Sequence, residues 1–366
     1  MPHKSRKILE ISTDKLRKNY QTILCHISPL KAIPVLKADA YGMGALEIAR
    51  ALLPEQPPRF AVAEIDEALE IKKLGLPVQI LGDVLEDEIP EIVSEDIICP
   101  ITSLSLAQAL DKEAEAQGKI AEAQFLIDTG MGRLGIILND AEELILQATK
   151  LKNIKFTGIY SHFPHAYNDQ DFTNTQVAKF DQLLKKLKQK NIHFSEVHIA
   201  NSDGLQNIKT SYKEPFNLVR TGLNLYGCFD MEGQRVLNLE EIITLKAKVV
   251  SIRELDAKET IGYGRTYTLK KKARIATIAI GYADGLPISL SNQGHFIFQG
   301  LKLPIVGRVS MDYSTVLLED QVNLKEGDFV TCLGESISVA DWAKSQNTIT
   351  YDIICRLSQR IKRIYN

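Results

Sequence analysis

Residues 32–44 read AIPVLKADAYGMG, an apolar β-like run that delivers Lys37 to a turn punctuated by Gly42 and Gly44 and opening a helix. That is one strand-to-helix unit, and similar units recur outward from it. Short β-rich runs lie at Ile33 to Leu36, Arg59 to Ala63, Val78 to Leu81, Ile97 to Pro100, Gln124 to Ile127, Phe156 to Tyr160, Glu196 to Ile199 and Asn217 to Val219. Pieces with helical spacing, such as Ala45 to Leu53 and Gln176 to Lys190, separate them. Eight such units predict an α/β fold whose N-terminal part is a (β/α)8, TIM-like barrel, with a doubly wound sheet as the competitor if the count is one too high. The polar residues decide for the barrel. Lys37, Asp128 to Arg133, His162, Asn201 with Ser202, and Arg220 all follow the C-terminal end of a run, where barrel enzymes gather their sites.

After Asp230, Met231, Glu232 and Gly233 the pattern changes to runs such as Leu245 to Ile252, Arg274 to Ile280 and Phe329 to Cys332, with few helices between. Turn signals at Asp284-Gly285, Asn292 to Gly294 and Lys325 to Asp328 fit antiparallel connections, and Ile353 to Ile364 reads as a closing helix. The expected division is a barrel over 10–232 and a C-terminal mainly β domain over 233–366, to which residues 1–9 can add.

The 366 residues are 45% hydrophobic and 25% charged, an ordinary globular composition with material for a large core. A formal net charge of -2, with no basic patch beyond the helix-face run KKLKQK at Lys185 to Lys190, argues against nucleic acid and anionic membrane as partners. A small-molecule partner is expected. The five cysteines, Cys25, Cys99, Cys228, Cys332 and Cys355, are widely spaced and form no CxxC pair, which suits a reducing cytoplasm and indicates no metal site. The N-terminal MPHKSRKILEIST has no apolar core, and no apolar run is long enough to span a bilayer.

Lys37 at a strand end is either a snorkelling side chain or a desolvated amine whose lowered pKa makes it a nucleophile for Schiff-base chemistry. The bare N–H groups around Tyr41, Gly42 and Gly44 can receive an anion. DTGMGRLG, Asp128 to Gly135, reads equally as a plain glycine-rich turn or as a loop presenting Arg133 to an anionic oxygen. VRTGLNLYG, Val219 to Gly227, places Arg220 and Gly222 after the last barrel run, and with Ser202 after the one before it this is a phosphate site of the kind barrels build from loops seven and eight. His162 and His198 share no ligand-like spacing with a carboxylate or cysteine, so ring stacking or orientation of a neighbour is expected rather than metal coordination. IGYGRTY, Ile261 to Tyr267, and GRVSMD, Gly307 to Asp312, are glycine-bracketed presentations of Tyr263 and Met311. Either is buried packing, or Tyr263 is an acid/base brought close to a partner.

Taken together, VLKADAYGMG, DTGMGRLG, SHF, HIANSDG, VRTGLNLYG, IGYGRTY, IGYADG, GRVSMD and TITYDI resemble, in order and over essentially the whole chain, the pyridoxal-phosphate-dependent alanine racemases. The resemblance implies a barrel plus β domain acting as a homodimer with shared active sites. It implies racemisation of L-alanine and D-alanine by two bases, supplying D-alanine for peptidoglycan. By position, Lys37 holds the pyridoxal 5'-phosphate and is one acid/base, and Tyr263 of the other subunit is the opposite one. Tyr41, Ser202, Gly222 and Tyr351 hold the phosphate, Arg220 faces the pyridine nitrogen and His162 contacts the ring. Arg133 and the Met311 backbone orient the substrate carboxylate, Tyr282 and Asp312 lie at the entrance, and His198 stands behind Arg220.

The sequence departs from the family pattern at Leu126, where some members carry a lysine modified to a carbamate, seven residues before Arg133. What steadies Arg133 is the question this poses. A decarboxylase of similar architecture would pair the ring nitrogen with a carboxylate, against Arg220. A non-catalytic cofactor carrier on a lone barrel would need neither Tyr263 nor a second domain. A sugar-phosphate barrel enzyme, which Lys37 and the phosphate loops alone would allow, would show no yellow cofactor.

Overall fold

The computed structural model describes residues 5–229 and 235–366, so the change of pattern read at Asp230 to Gly233 lies outside the described residues. The chain divides into two compact units, Leu16–Leu239 and Met1–Lys15 with Glu240–Asn366.

Strand β1 (Lys7–Ile11) belongs to the second unit. The first unit carries β2 (Lys31–Pro34), β3 (Phe60–Val62), β4 (Val78–Ile80), β5 (Cys99–Ile101), β6 (Ala121–Asp128), β7 (Ile154–Tyr160), β8 (Glu196–His198) and β9 (Leu218–Thr221). Parallel ladders join β3 to β4, β5 to β6, β6 to β7, β7 to β8 and β8 to β9. Single parallel bridges complete the ring, Val35 with Ala61 between β2 and β3, and Gln79 with Ile98 between β4 and β5. Strand β9 pairs back on β2, Leu218 opposite Lys31 and Thr221 opposite Pro34. The result is a closed parallel barrel, and each of the eight runs read from the sequence overlaps one of its strands.

Strands β3, β4, β5 and β9 are buried at every position, as parallel strands covered on both faces must be. The outer helices bury one stripe each. In Gln170–Gln189 that stripe is Val177, Phe180, Leu183 and Leu187, and the helix starts where the Asp169 carboxylate accepts the Phe172 N–H at 3.0 Å. This ring holds the C-terminal strand ends, and the residues that follow them, at one mouth.

In the second unit β10 (Ile243–Leu255) is the spine, its first half alternating buried and half-buried residues. It pairs antiparallel with β1, with β11 (Ala273–Ile278) and with β15 (Phe329–Leu333). The hairpin of β12 (His295–Phe298) and β13 (Leu301–Pro304) adds to β15, and β14 (Ser314–Leu318) to β11. The closing helix expected over Ile353 to Ile364 is a correction: helix Thr350–Cys355 stops, and β16 (Lys362–Tyr365) pairs parallel with β1. The helical spacing of Ile353, Leu357 and Ile361 is real, and all three are buried. The open backbone edge of β1 nevertheless takes Lys362–Tyr365, whose N–H and C=O groups find partners there. Asp284-Gly285 likewise joins no hairpin. Asp284 is fully buried and accepts from Lys7 Nζ at 2.6 Å and from Arg360 Nε.

Candidate active site

Lys37 follows β2 at the mouth of the barrel and is half-buried. The next four residues are left-handed: Ala38, Asp39, Ala40 and Tyr41 have φ of 53, 53, 53 and 59° with ψ of 50, 50, 46 and 36°. None is glycine, so each carries about 1–2 kcal/mol of steric strain relative to the right-handed form. Surrounding groups hold the turn. The Glu67 carboxylate accepts from the Ala38 N–H and, at 2.8 Å, from the Ala63 N–H, while Asp39 Oδ1 accepts the Ala45 N–H at 2.7 Å and so starts helix Ala45–Leu52. Tyr41 is buried edge-on against Tyr226, with ring centroids 5.5 Å apart.

The turn carries the Tyr41 hydroxyl to Gly222. A Cβ built on Gly222 would lie 2.2 Å from that oxygen, so only the bare backbone fits. The Gly222 N–H donates to Ser202 Oγ at 3.1 Å, and the Ser202 carbonyl accepts from Asn224 Nδ2 at 3.0 Å. Tyr41, Ser202 and Gly222 therefore form one cluster at the ends of β2, β8 and β9. The buried Thr221 hydroxyl beside them has no hydrogen-bond partner among the described residues.

Arg220, buried on β9, is tied down at both terminal nitrogens. One donates to His198 Nδ1. The other donates to the Ser161 carbonyl at 2.6 Å, the Ile199 carbonyl at 3.1 Å and His162 Nδ1 at 3.2 Å. Nε makes no hydrogen bond among the described residues. Burial pushes the guanidinium down to about 10, which leaves it a cation at neutral pH. His162 is held well below the usual histidine range by burial and then by Arg220, Arg133 and Lys37, so it is neutral, and so is His198, by burial and then by Arg220 and Arg59. Tyr160 stacks on His198 at 5.0 Å.

Arg133 is exposed on a loop whose shape is set from within. Asp128 Oδ1 accepts N–H groups from Gly130 and Met131, each at 2.8 Å, and Oδ2 accepts from Gly132 at 3.0 Å. Leu126 lies under Gly135, where an added Cβ would meet its side chain at 3.0 Å. The loop that carries Arg133 thus has a carboxylate clasp on its backbone and Leu126 as an apolar floor under Gly135.

The remaining expected residues lie in the second unit. Tyr263 is 73% exposed on a turn between Gly262 and Gly264, and that turn lies against Arg308, whose backbone N would be 3.1 Å from a Cβ on Gly262. Tyr282 N–H donates to the Ser310 carbonyl at 3.0 Å and Ala283 N–H to the Met311 carbonyl at 3.1 Å, so the Tyr282 and Met311 loops are one structure. Arg360 joins Asp284 to Asp312, the latter at 2.7 Å, and pins that loop. Tyr351 is half-buried on helix Thr350–Cys355.

Residues 11–230 match the family model described as "Alanine racemase, N-terminal domain" and residues 242–365 match "Alanine racemase, C-terminal domain". The chain belongs to the alanine racemase family. It is 35% identical to alanine racemase 2 of Caldanaerobacter subterraneus subsp. tengcongensis, over 98% of this chain and 94% of that protein. The alanine racemase of Clostridium difficile 630 superposes with a TM-score of 0.93 at 30% identity, covering 99% of this chain and 96% of that one. A Bartonella henselae alanine racemase with covalently bound pyridoxal phosphate superposes at 0.88 and 32% identity, covering 99% of this chain and all, 100%, of that one.

For an alanine racemase the cluster has the right chemistry to hold pyridoxal phosphate. Lys37 offers the amine. The hydroxyls of Tyr41 and Ser202 meet at the bare backbone of Gly222, a place for a phosphate, and the orphaned Nε–H of Arg220 is a donor for a ring nitrogen. Sequence reading missed Glu67, Asp128 as a clasp, Asp284 and the polar side chains inside the barrel. Glu67 and Asp128 are ordinary acidic residues in a helix and at a strand end, and only the backbone that folds over them reveals their work.

Proposed function

We propose that the protein is a pyridoxal-phosphate-dependent alanine racemase that interconverts L-alanine and D-alanine with two bases, and that its residues act as follows. Lys37 holds the cofactor and moves the α-proton on one face, while Tyr263 of the partner subunit moves it on the other. Bound pyridoxal phosphate supplies an electron sink for the α-carbon. Tyr41, Ser202, Gly222 and Tyr351 hold its phosphate and His162 contacts its ring. Arg220 is a donor that does not readily give up its proton, so a ring nitrogen against it stays unprotonated, which weakens the sink and suppresses transamination. Arg133 and the Met311 backbone orient the substrate carboxylate, with Tyr282 and Asp312 at the entrance. The barrel is the cofactor domain, and the β domain lends Tyr263 and Met311 to a homodimer's shared sites. Tyr263 and Met311 support that reading by their exposure, 73% and 53%, with Tyr282 and Tyr313 exposed near them. The role is D-alanine supply for peptidoglycan, in the cytoplasm, where the five cysteines stay reduced. Among the described residues no helix is long and apolar enough to cross a membrane.

The observation that carries the proposal is the meeting of Lys37, Tyr41, Ser202, Gly222 and Arg220 at the mouth of a barrel matched over its full length by the family. Borohydride reduction of the purified yellow protein, followed by peptide mapping, should place the pyridoxyl group on Lys37. A label on another lysine refutes the assignment. Turnover of a panel of single-enantiomer amino acids should be fastest with alanine.

A further inference from the structure

Barrel interiors are ordinarily filled by layers of branched apolar side chains. Here a chain of polar ones runs through the interior behind Arg220. Arg59 grips Glu196 with both terminal nitrogens, one at 2.8 Å, and donates from Nε to Gln79 Oε1 at 2.9 Å. Gln79 Nε2 donates to Gln124 Oε1 at 3.0 Å, and Gln124 Nε2 donates to Glu196 Oε2 at 2.6 Å. Gln124 Oε1 also meets His198 Nε2 at 3.0 Å, and His198 Nδ1 meets Arg220. Gln79, Gln124 and His198 have no exposed surface, 0% each. Gly158 on β7 is part of the device, since a Cβ there would lie 2.7 Å from the Gln124 amide carbon.

The direction of every bond follows from its ends. Arginine only donates and a carboxylate only accepts. Arg59 therefore makes Gln79 present its oxygen to Nε and its NH2 to Gln124. Glu196 makes Gln124 present its NH2 to the carboxylate. Both constraints turn the Gln124 oxygen toward His198, so Nε2 must carry the imidazole proton and Nδ1 must offer its lone pair to Arg220. The other tautomer would set an Nδ1–H against a guanidinium N–H, and the imidazolium would set two cations together.

We propose that Gln124, oriented by the Arg59–Glu196 ion pair and seated against Gly158, is a positioning residue that locks His198 in the Nε2–H form and thereby fixes the guanidinium of Arg220 where Nε meets the cofactor ring. The proposal rests on the reading of Arg220 as the ring-nitrogen partner. It makes reaction choice depend on residues deep in the barrel that touch neither substrate nor cofactor.

The test begins with the wild-type protein freed of cofactor and carrying ¹⁵N-labelled histidine. His198 should show a protonated Nε2 and an unprotonated, hydrogen-bonded Nδ1 across neutral pH. A protonated Nδ1 overturns the proposal without any variant. Gln124→Met removes the acceptor at nearly constant volume, and Gly158→Ala displaces the amide with no polar change, so either folded variant suffices. Both should lose the single tautomer. Reloaded with pyridoxal phosphate, they should show a shifted cofactor absorbance and about tenfold more transamination per racemisation, with KM for alanine little changed. A tautomer retained in the variants overturns the proposal. Arg220→Glu run beside them separates the two levels: if it changes the partition and Gln124→Met does not, the network has no bearing on reaction choice. If neither changes it, the reading of Arg220 falls as well.

Discussion

Gly222→Ala tests the phosphate cradle with one methyl group. The new Cβ would stand 2.2 Å from the Tyr41 hydroxyl, more than 1 Å inside an ordinary contact of about 3.5 Å. The backbone at Gly222, φ -121° and ψ -88°, lies outside the regions that alanine adopts freely, so the substitution strains the backbone and also displaces Tyr41. That ring is buried against Tyr226 and rooted in the left-handed turn, so its hydroxyl must leave the phosphate position rather than swing aside freely. A hydrogen bond to a charged group contributes about 1.5–3 kcal/mol, so the cofactor dissociation constant should rise about 10- to 100-fold. Titrating the cofactor-free protein with pyridoxal phosphate, followed by absorbance, measures it. Tyr41→Phe loses the same hydrogen bond and removes the 2.2 Å contact, leaving Cζ at 3.0 Å, so adding Gly222→Ala to it should weaken binding by much less than Gly222→Ala does alone. Additive losses, or unchanged affinity in Gly222→Ala, would show that Tyr41 and Gly222 do not act on one phosphate.

Other outcomes follow from the same geometry. Arg220→Glu should protonate the ring nitrogen, slow racemisation and let transamination appear, read by the cofactor's spectrum during turnover with alanine; unchanged racemisation with no side reaction argues against the role. His198 is held neutral in the folded protein, so the unfolded chain takes up the proton first, and stability present above the unfolded pKa of about 6.5 should be lost as pH falls below it, by about 1.4 kcal/mol per pH unit for this group. Urea unfolding at a series of pH values should show a shallower loss in His198→Gln, and an identical slope contradicts the neutral assignment. Lys37→Ala and Tyr263→Phe chains, each inactive, should recover roughly a quarter of wild-type activity when mixed and allowed to exchange, because half the dimers are hybrids with one intact site. If mass spectrometry of tagged chains shows hybrids and activity stays at the single-variant level, the site is not shared.

The barrel was legible because buried parallel strands leave short apolar runs, such as FAV, between helical pieces. The candidate site at the mouth was legible for a related reason: Lys37, Arg220 and Gly222 break an apolar pattern where a barrel turns outward. Gln79 and Gln124 break it too, but at mid-strand, where a lone polar residue reads as a solvent-facing position until the ring closes around it. Asp284 looked like half of a turn because Asp-Gly is a strong local signal, whereas its partners Lys7 and Arg360 come from the two ends of the chain. The last residues were misread since local spacing favours a helix and only the distant edge of β1 favours a strand.

The left-handed turn after Lys37 has a stereochemical consequence. Its φ and ψ values are, for Ala38 and Ala40, those that a D-residue adopts without strain and an L-residue resists. A chain assembled by ligation with D-alanine at these two positions should fold to the same site and unfold later, by about 1–2 kcal/mol for each exchange. The same exchange at Ala49, inside a right-handed helix, should do the reverse. The segment that follows the proposed cofactor lysine is thus shaped in the chirality of D-alanine.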